Sequence, residues 1–123
     1  MLLKSLLAIS TLLLITPMHD PLPDLQIGDP LPAPEIKMKD ISSKDVTLSE
    51  LKGGNGLLVI FSCNTCPFVI GGEESEGWEG RYPALGEYCK KNDIGMVLVN
   101  SNEAKRNNGD GFADMQHHYN SLG

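Results

Sequence analysis

The sequence contains few cysteines, few aromatic residues and no cluster of basic residues. Of its 123 residues only 3 are cysteines, and an odd number cannot form a fully paired framework of structural disulfides. The formal net charge of −6 argues against nucleic acid or an anionic membrane surface as a partner, because both bind concentrated positive charge. The length fits one domain and is too short for two.

The N-terminal segment lacks the roughly 20 consecutive apolar residues that a membrane-spanning helix needs. It has one early cation, Lys4, followed by an apolar run to Ile15, which is the layout of a secretory signal peptide. An uncleaved anchor that tethers the domain to a membrane and a buried N-terminal helix are the alternatives. A cleaved signal or an anchor would put the domain outside the cytoplasm, in the periplasm or secreted, where disulfides persist.

Three regions follow from these features and from the prolines. We predict a signal peptide or N-terminal anchor at 1–18, a Pro-rich linker at 19–34 and the folded domain at 35–123.

Two apolar runs predict the centre of the domain. Residues 57–61 form a continuous apolar run, which is typical of a strand buried on both faces of a sheet, and residues 94–99 form a second one. Between them an amphipathic helix starts at Pro83, with Leu85 and Cys89 on its apolar face. This order predicts a strand, a helix and a strand with the two strands parallel. Cys89 is expected to fill the core rather than to act as a third redox thiol.

Shorter elements flank this unit. Ile36 and Met38 alternate with lysines, which predicts a half-buried edge strand, and a second short strand is predicted at 46–48. Ser49 is predicted to cap a one-turn helix. The acidic, Gly-rich stretch 71–80 is expected to interrupt the helix after the cysteines, and residues 112–119 predict a last short helix.

Cys63 and Cys66 directly follow the first buried run, and Pro67 suits the first turn of a helix. A thiol attacks disulfides as its thiolate, which the start of a helix favours. A cysteine three positions further on can attack the mixed disulfide that the first one forms. We therefore predict that Cys63 is the nucleophile and Cys66 the resolving thiol, supported by Asn64, Thr65 and Pro67.

A zinc site and a structural disulfide are the alternative interpretations of this spacing. Zinc would need further ligands from Cys89, His117 or His118, because no second Cys-x-x-Cys pair is present. We predict neither a metal nor another cofactor. Like charge raises the pKa of a thiol, so the glutamates of the stretch 71–80 are expected to oppose thiolate formation if they lie close to it.

Five segments of the sequence, which lie between residues 27 and 102, together resemble the thioredoxin-like redoxin family. This family includes alkyl hydroperoxide reductases, thiol-specific antioxidant proteins and membrane-associated thiol–disulfide oxidoreductases. The segments are Ile27-Gly28-Asp29-Pro30 with Pro34, residues 46–53, residues 57–61, Cys63-Asn64-Thr65-Cys66-Pro67, and Met96 to Asn100 with Ser101 and Asn102.

The resemblance implies an α/β fold of the thioredoxin type, with a central mixed β-sheet flanked by helices. In that family the first cysteine of the motif is the nucleophile and the second resolves, which assigns these roles to Cys63 and Cys66. The family's cis-proline loop, closing hairpin and closing helix are expected to lie beyond Gly123. A sheet without its closing strands has an open edge. We therefore expect the chain to be a fragment, or to need another segment in order to fold stably.

The resemblance implies a thiol–disulfide oxidoreductase that exchanges with protein or small-molecule thiols and disulfides and with an upstream redox partner. A peroxidase of the same family is one alternative, although Cys63 and Val59 stand where such peroxidases carry a hydroxyl residue and a proline. A copper chaperone is the other, with ligands from Cys63, Cys66 and His117 or His118, because soft thiolates suit Cu(I).

Overall fold

A computed structural model describes residues 24–122 of the chain. The predicted signal peptide or anchor and the first residues of the linker lie outside this range. The chain divides into two units at Pro30 and Leu31. In the described part of the first unit, the N–H of Asp29 donates to the carbonyl of Gln26 (3.1 Å) and closes a turn at Gly28.

The second unit contains four short strands and four helices among its described residues. In chain order they are β1 Met38–Lys39, β2 Asp45–Val46, α1 Leu48–Leu51, β3 Leu57–Ser62, α2 Pro67–Ile70, α3 Tyr82–Lys91, β4 Gly95–Asn100 and α4 Phe112–Leu122. Short 3-10 turns at Glu79–Arg81 and Glu103–Lys105 precede α3 and follow β4. The class is therefore α/β, with small sheets and several helices.

The strands form two separate pairs in the described range rather than one central mixed sheet. β1 and β2 are antiparallel, with Met38 opposite Val46. β3 and β4 are parallel and aligned over six residues, from Leu57 opposite Gly95 to Ser62 opposite Asn100. The predicted strand, helix and strand with parallel pairing is confirmed, with α3 between the strands. Since the strands are parallel, the chain leaves both of them at the same end.

The prediction that residues 57–61 are buried on both faces is wrong. None of the residues of β3 is fully buried, and Phe61 at its end is 71% exposed. A strand is enclosed only when other strands flank it and helices cover both faces, and β3 has one strand neighbour in the described range. Cys89 on α3, 3% exposed, is the fully buried apolar side chain there, as predicted for a core residue.

The cap of α1 differs from the predicted one. Thr47 caps the helix: its hydroxyl accepts from the N–H of Glu50 (3.2 Å), and the Glu50 carboxylate accepts from the N–H of Thr47 (2.9 Å). This reciprocal pair satisfies two backbone donors at once, which a cap at Ser49 would not. The hydroxyl of Ser49 instead donates to Glu35.

Two predictions about helices are confirmed. The acidic stretch after α2 contains no α-helix: α2 ends before Gly71, and the chain turns back so that the N–H of Trp78 donates to the carbonyl of Phe68 (3.1 Å). The last helix, α4, forms where residues 112–119 predicted one. Within residues 24–122, no helix is long and apolar enough to cross a membrane.

Candidate functional site

Cys63 and Cys66 lie at the two ends of a tight turn that connects β3 to α2. Cys63 is the first residue after β3. Cys66 is the N-cap of α2, and its carbonyl accepts hydrogen bonds from the N–H groups of Val69 (2.9 Å) and Ile70 (3.0 Å). Pro67 occupies the first turn of α2, where a missing N–H costs nothing.

Both thiols are free and only partly buried. They are close enough that the thiol of Cys66 affects the ionisation of Cys63 by hydrogen bonding and by charge. Cys89 is buried on α3 and does not line the cavity described below. Cys63 and Cys66 therefore lie near each other, and Cys89 lies apart from them.

Cys63 itself does not lie at the start of the helix, the position that would favour its thiolate. The helix begins at Pro67, so Cys66 has the capping position, and Cys63 lies three residues before Cys66. The reason is that Asn64 and Thr65 are held in a turn by bonds to a distant segment and do not continue the helix backwards. The α2 helix is also only four residues long, so its dipole offers little stabilisation to a thiolate.

The pKa of the Cys63 thiol is raised above its ordinary value rather than lowered. Burial contributes most, followed by the hydrogen bond and charge of Cys66 and then by the negative charge of Asp110. The carboxylate that acts on Cys63 is therefore Asp110, which the sequence did not single out, and not the glutamates of the acidic stretch. Each of these three contributions disfavours the thiolate of Cys63.

The turn between the cysteines is bonded to a segment more than forty residues further along the chain. The N–H of Asn64 donates to Oδ1 of Asp110 (2.6 Å), and the Thr65 hydroxyl donates to Oδ2 of the same carboxylate (2.6 Å). The side-chain amide of Asn64 donates to the carbonyl of Gly109 (3.1 Å). Asn64 and Thr65, predicted as supporting residues, thus connect the turn to the rest of the fold.

Asp110 is itself held by side chains at the end of β4 and just after it. The amide of Asn102 donates to its Oδ2 (2.6 Å), and the amide of Asn100 lies 3.5 Å from its Oδ1. Burial alone would raise the pKa of Asp110, but the hydrogen bonds from Thr65, Asn64 and Asn102 outweigh it, and the pKa is lowered. The group is therefore a carboxylate at neutral pH.

Cys63 lines an open cavity of about 260 Å³ between β4, α3 and α4. Its walls are mainly apolar. They include Ile41, Tyr82, Leu98, Met115 and Leu122. The Tyr82 hydroxyl lies 3.3 Å from the hydroxyl of Ser62, the residue before Cys63. A molecule that enters this cavity can therefore reach Cys63, whereas Cys66 is not among the lining residues.

An imidazole–carboxylate pair lines the same cavity. Nε2 of His118 on α4 lies 2.5 Å from Oε1 of Glu79, and both side chains are partly buried. His117 is exposed. Among the described residues there is no cluster of three or more His, Cys, Asp or Glu side chains arranged to hold a metal ion. The structure thus does not gather the cysteines and histidines that the copper and zinc alternatives required.

The sequence contained one indication of the residues it missed. Asn100 ends β4, Asn102 and Asp110 follow it just as Cys63 follows β3, and the ends of neighbouring parallel strands meet at one edge of a sheet. Polar side chains after two such strands therefore belong to one region.

No protein-family profile, no curated protein and no solved structure matches this chain.

Proposed function

We propose that the chain is a thiol–disulfide oxidoreductase of the thioredoxin-like type, in which Cys63 attacks and Cys66 resolves. The observation that supports it best is the turn itself: two free thiols three residues apart lie close together, and one of them opens onto a cavity. This spacing lets one thiol attack a disulfide formed by the other.

The exchange would proceed in two steps. The Cys63 thiol loses its proton, and the thiolate attacks one sulfur of a substrate disulfide. The substrate S–S bond breaks, a mixed disulfide forms at Cys63, and the departing substrate sulfur takes up a proton. The Cys66 thiol then loses its proton and attacks the sulfur of Cys63. This forms the Cys63–Cys66 disulfide and releases the second substrate thiol.

The substrate gains two electrons and two protons in this sequence, and the cysteine pair loses them. Because every step is reversible, the same pair in its disulfide form can oxidise a dithiol. The proposed substrates are protein or small-molecule thiols and disulfides, and a separate redox partner would return the pair to its starting state. We propose that this takes place outside the cytoplasm, where protein disulfides persist.

The assignment of roles follows from access to the cavity. Cys63 lines it, so an approaching disulfide meets this sulfur first. The raised pKa of Cys63 predicts slow attack at neutral pH, because only the thiolate is nucleophilic. The proposed thiol–disulfide exchange is therefore slow at neutral pH, and its rate increases with pH.

Equilibration in glutathione redox buffers, followed by mass spectrometry of alkylated peptides, tests the proposal. We expect a reversible Cys63–Cys66 disulfide in the full chain and in the matched control Cys89→Ala. Formation of no such disulfide at any glutathione ratio would refute the function.

Trapping with a peptide disulfide tests the roles. A mixed disulfide should accumulate on Cys63 in the Cys66→Ser variant and should not form in Cys63→Ser. The opposite pattern, with an adduct on Cys66 in Cys63→Ser only, would reverse the two assignments.

A further inference from the structure

Only two polar side chains among residues 24–122 are fully buried, Thr47 and Asp110. Thr47 is explained by its role as the cap of α1. Asp110 is 6% exposed and has no part in the two exchange steps above. A buried carboxylate is costly unless it is compensated by hydrogen bonds, so its presence beside a pair of thiols calls for a physical explanation.

The contacts of this carboxylate converge on the residues between the two cysteines. Each oxygen accepts a bond of 2.6 Å from the turn: Oδ1 from the N–H of Asn64 and Oδ2 from the hydroxyl of Thr65. Bonds of this length to a charged acceptor are among the stronger hydrogen bonds in proteins. The side-chain amide of Asn102 also donates to Oδ2 (2.6 Å).

We propose that Asp110 is the positioning residue of the thiol pair: its carboxylate holds the Asn64–Thr65 turn closed and keeps negative charge beside Cys63, so that both effects favour the disulfide. This inference rests on the proposed function.

The first effect is geometric. Asn64 and Thr65 are the only residues between the two cysteines, so the shape of their turn sets the distance between the two sulfurs. A turn fixed at both residues reduces the rearrangement needed to form the disulfide. If the turn is loosened, one thiol has a lower effective concentration near the other, and the disulfide becomes less stable.

The second effect is electrostatic. The negative charge of Asp110 opposes the thiolate of Cys63, together with burial and the neighbouring Cys66. The charged or titratable groups that line the cavity with Cys63 from other elements are Glu79, Tyr82, His118 and Tyr119. When ionisation of Cys63 is disfavoured, the reduced pair is less stable relative to the disulfide. The reduction potential of the pair is then lower.

The pH profile of Cys63 alkylation distinguishes an effect of the Asp110 charge from an effect on folding alone. It is measured with iodoacetamide in a Cys66→Ser, Cys89→Ala background, where Cys63 is the remaining thiol. Asp110→Asn is expected to move the profile to lower pH and to speed alkylation at pH 7 by roughly threefold to tenfold, because a like charge is removed. Asp114→Asn is the matched control: this exposed carboxylate accepts from the N–H of Gly111 (3.0 Å), and its variant should leave the profile unchanged.

The glutathione equilibrium of the chain with both Cys63 and Cys66 measures the geometric effect. Asp110→Asn should weaken the disulfide roughly tenfold, which corresponds to a potential about 30 mV less negative for this two-electron couple. Thr65→Val removes one hydrogen bond and no charge. It should therefore shift the glutathione equilibrium in the same direction by a smaller factor, and leave the alkylation profile in place.

The outcomes distinguish this inference from the function on which it rests. If the parent chain forms a reversible disulfide but Asp110→Asn changes neither the profile nor the equilibrium, the role of Asp110 is refuted and the function stands. If the parent forms no disulfide, the function fails, while the alkylation profile still tests the charge effect. If Asp110→Asn does not fold by circular dichroism, Thr65→Val and Asn102→Ala decide: an unchanged equilibrium in both folded variants overturns the inference.

Discussion

The turn at the cysteines and the face of the β3–β4 sheet adjoin each other and are built in opposite ways. At the turn, the buried carboxylate of Asp110 accepts three hydrogen bonds of 2.6 Å. On β3 Phe61 is 71% exposed, and on α2 Phe68 is 79% exposed. Polar groups are thus enclosed and satisfied, while large apolar groups face solvent.

This contrast shows where the order of the candidate site comes from. An apolar core stabilises a fold in proportion to the area it removes from water, about 25 cal/mol per Å². Little of the apolar surface near the turn is removed in this way. The turn is instead fixed by directional bonds to residues that follow β4, and such bonds specify one geometry even where the surrounding packing is thin.

The exposed apolar face also matters for what surrounds the site. Within the described range β3 and β4 have only each other as strand neighbours, so each has an edge with unpaired backbone groups. Edges of this kind, next to large exposed apolar residues, are surfaces on which another segment can add. The predictions below test each side of the contrast, from the largest expected effect to the smallest.

The largest effect is expected where the backbone itself packs tightly. A Cβ at Gly95, the first residue of β4, would collide with the carbonyl oxygen of Leu51 at the end of α1. Gly95→Ala should lower the free energy of unfolding by about 2–3 kcal/mol, the usual cost of overpacking. Urea unfolding followed by circular dichroism measures it. Gly80→Ala is the matched control, because a Cβ there meets nothing within 4 Å, and it should change stability little. Equal stability of the two variants would show that β4 and α1 are not in close contact.

A smaller effect, confined to the site, is expected at Gly109. Its φ is +97°, and a Cβ there would lie 2.8 Å from Cγ2 of Thr65. Gly109→Ala should cost about 1–2 kcal/mol for the left-handed backbone alone, and it should also push Thr65 out of the turn. Gly28→Ala controls for the backbone cost, because Gly28 has the same φ of +97° and no atom within 4 Å of the added Cβ. We expect the alkylation rate of Cys63 to change in Gly109→Ala and not in Gly28→Ala. The same rate in both variants would show that Gly109 does not influence the site.

The parts of the fold that could be predicted from sequence depend on neighbours along the chain. The runs that became β3 and β4, the helix α3 between them and the position of Pro67 are encoded by local pattern, and the structure contains all of them. Whether a strand is enclosed depends on segments remote in sequence. The burial of residues 57–61 was therefore not predictable from the hydrophobicity of these residues.

The same distinction holds for the site. The two cysteines are recognisable as a candidate site because the Cys-x-x-Cys spacing is visible in the sequence itself. Asp110 is not, because its role depends on a contact across 45 residues with Thr65 and on the alignment of β3 with β4. A single aspartate in a polar loop has no local signature. The turn at Asn64 and Thr65 was not predictable for the same reason, since the bonds that hold these two residues come from that loop.

The hydrogen bonds of the Asp110 carboxylate should make the stability of the turn at the cysteines sensitive to acid. The pKa of Asp110 is lower in the folded protein than its ordinary value, so its contribution to stability is present above that ordinary value, about 4. The contribution is lost as the pH falls through the lowered folded pKa. The difference in unfolding free energy between the parent and Asp110→Asn should therefore shrink on acidification. Urea unfolding between neutral pH and pH 3 measures it, and a difference that stays constant would mean that the carboxylate does not act through its charge.

The smallest effect on stability is expected on the apolar side, at Phe61. Because this side chain is 71% exposed, Phe61→Ser removes little buried area, and the free energy of unfolding should change by no more than about 0.5 kcal/mol. Self-association should nevertheless decrease, since exposed apolar surface favours it. Sedimentation velocity at several concentrations measures association. Val59→Ser on the same strand is the control: this residue is half-buried and opposite Val97, so its replacement should destabilise the fold more than Phe61→Ser does. A large loss of stability in Phe61→Ser would show that the face is covered in solution, and the contrast between an enclosed polar turn and an open apolar sheet would then no longer hold.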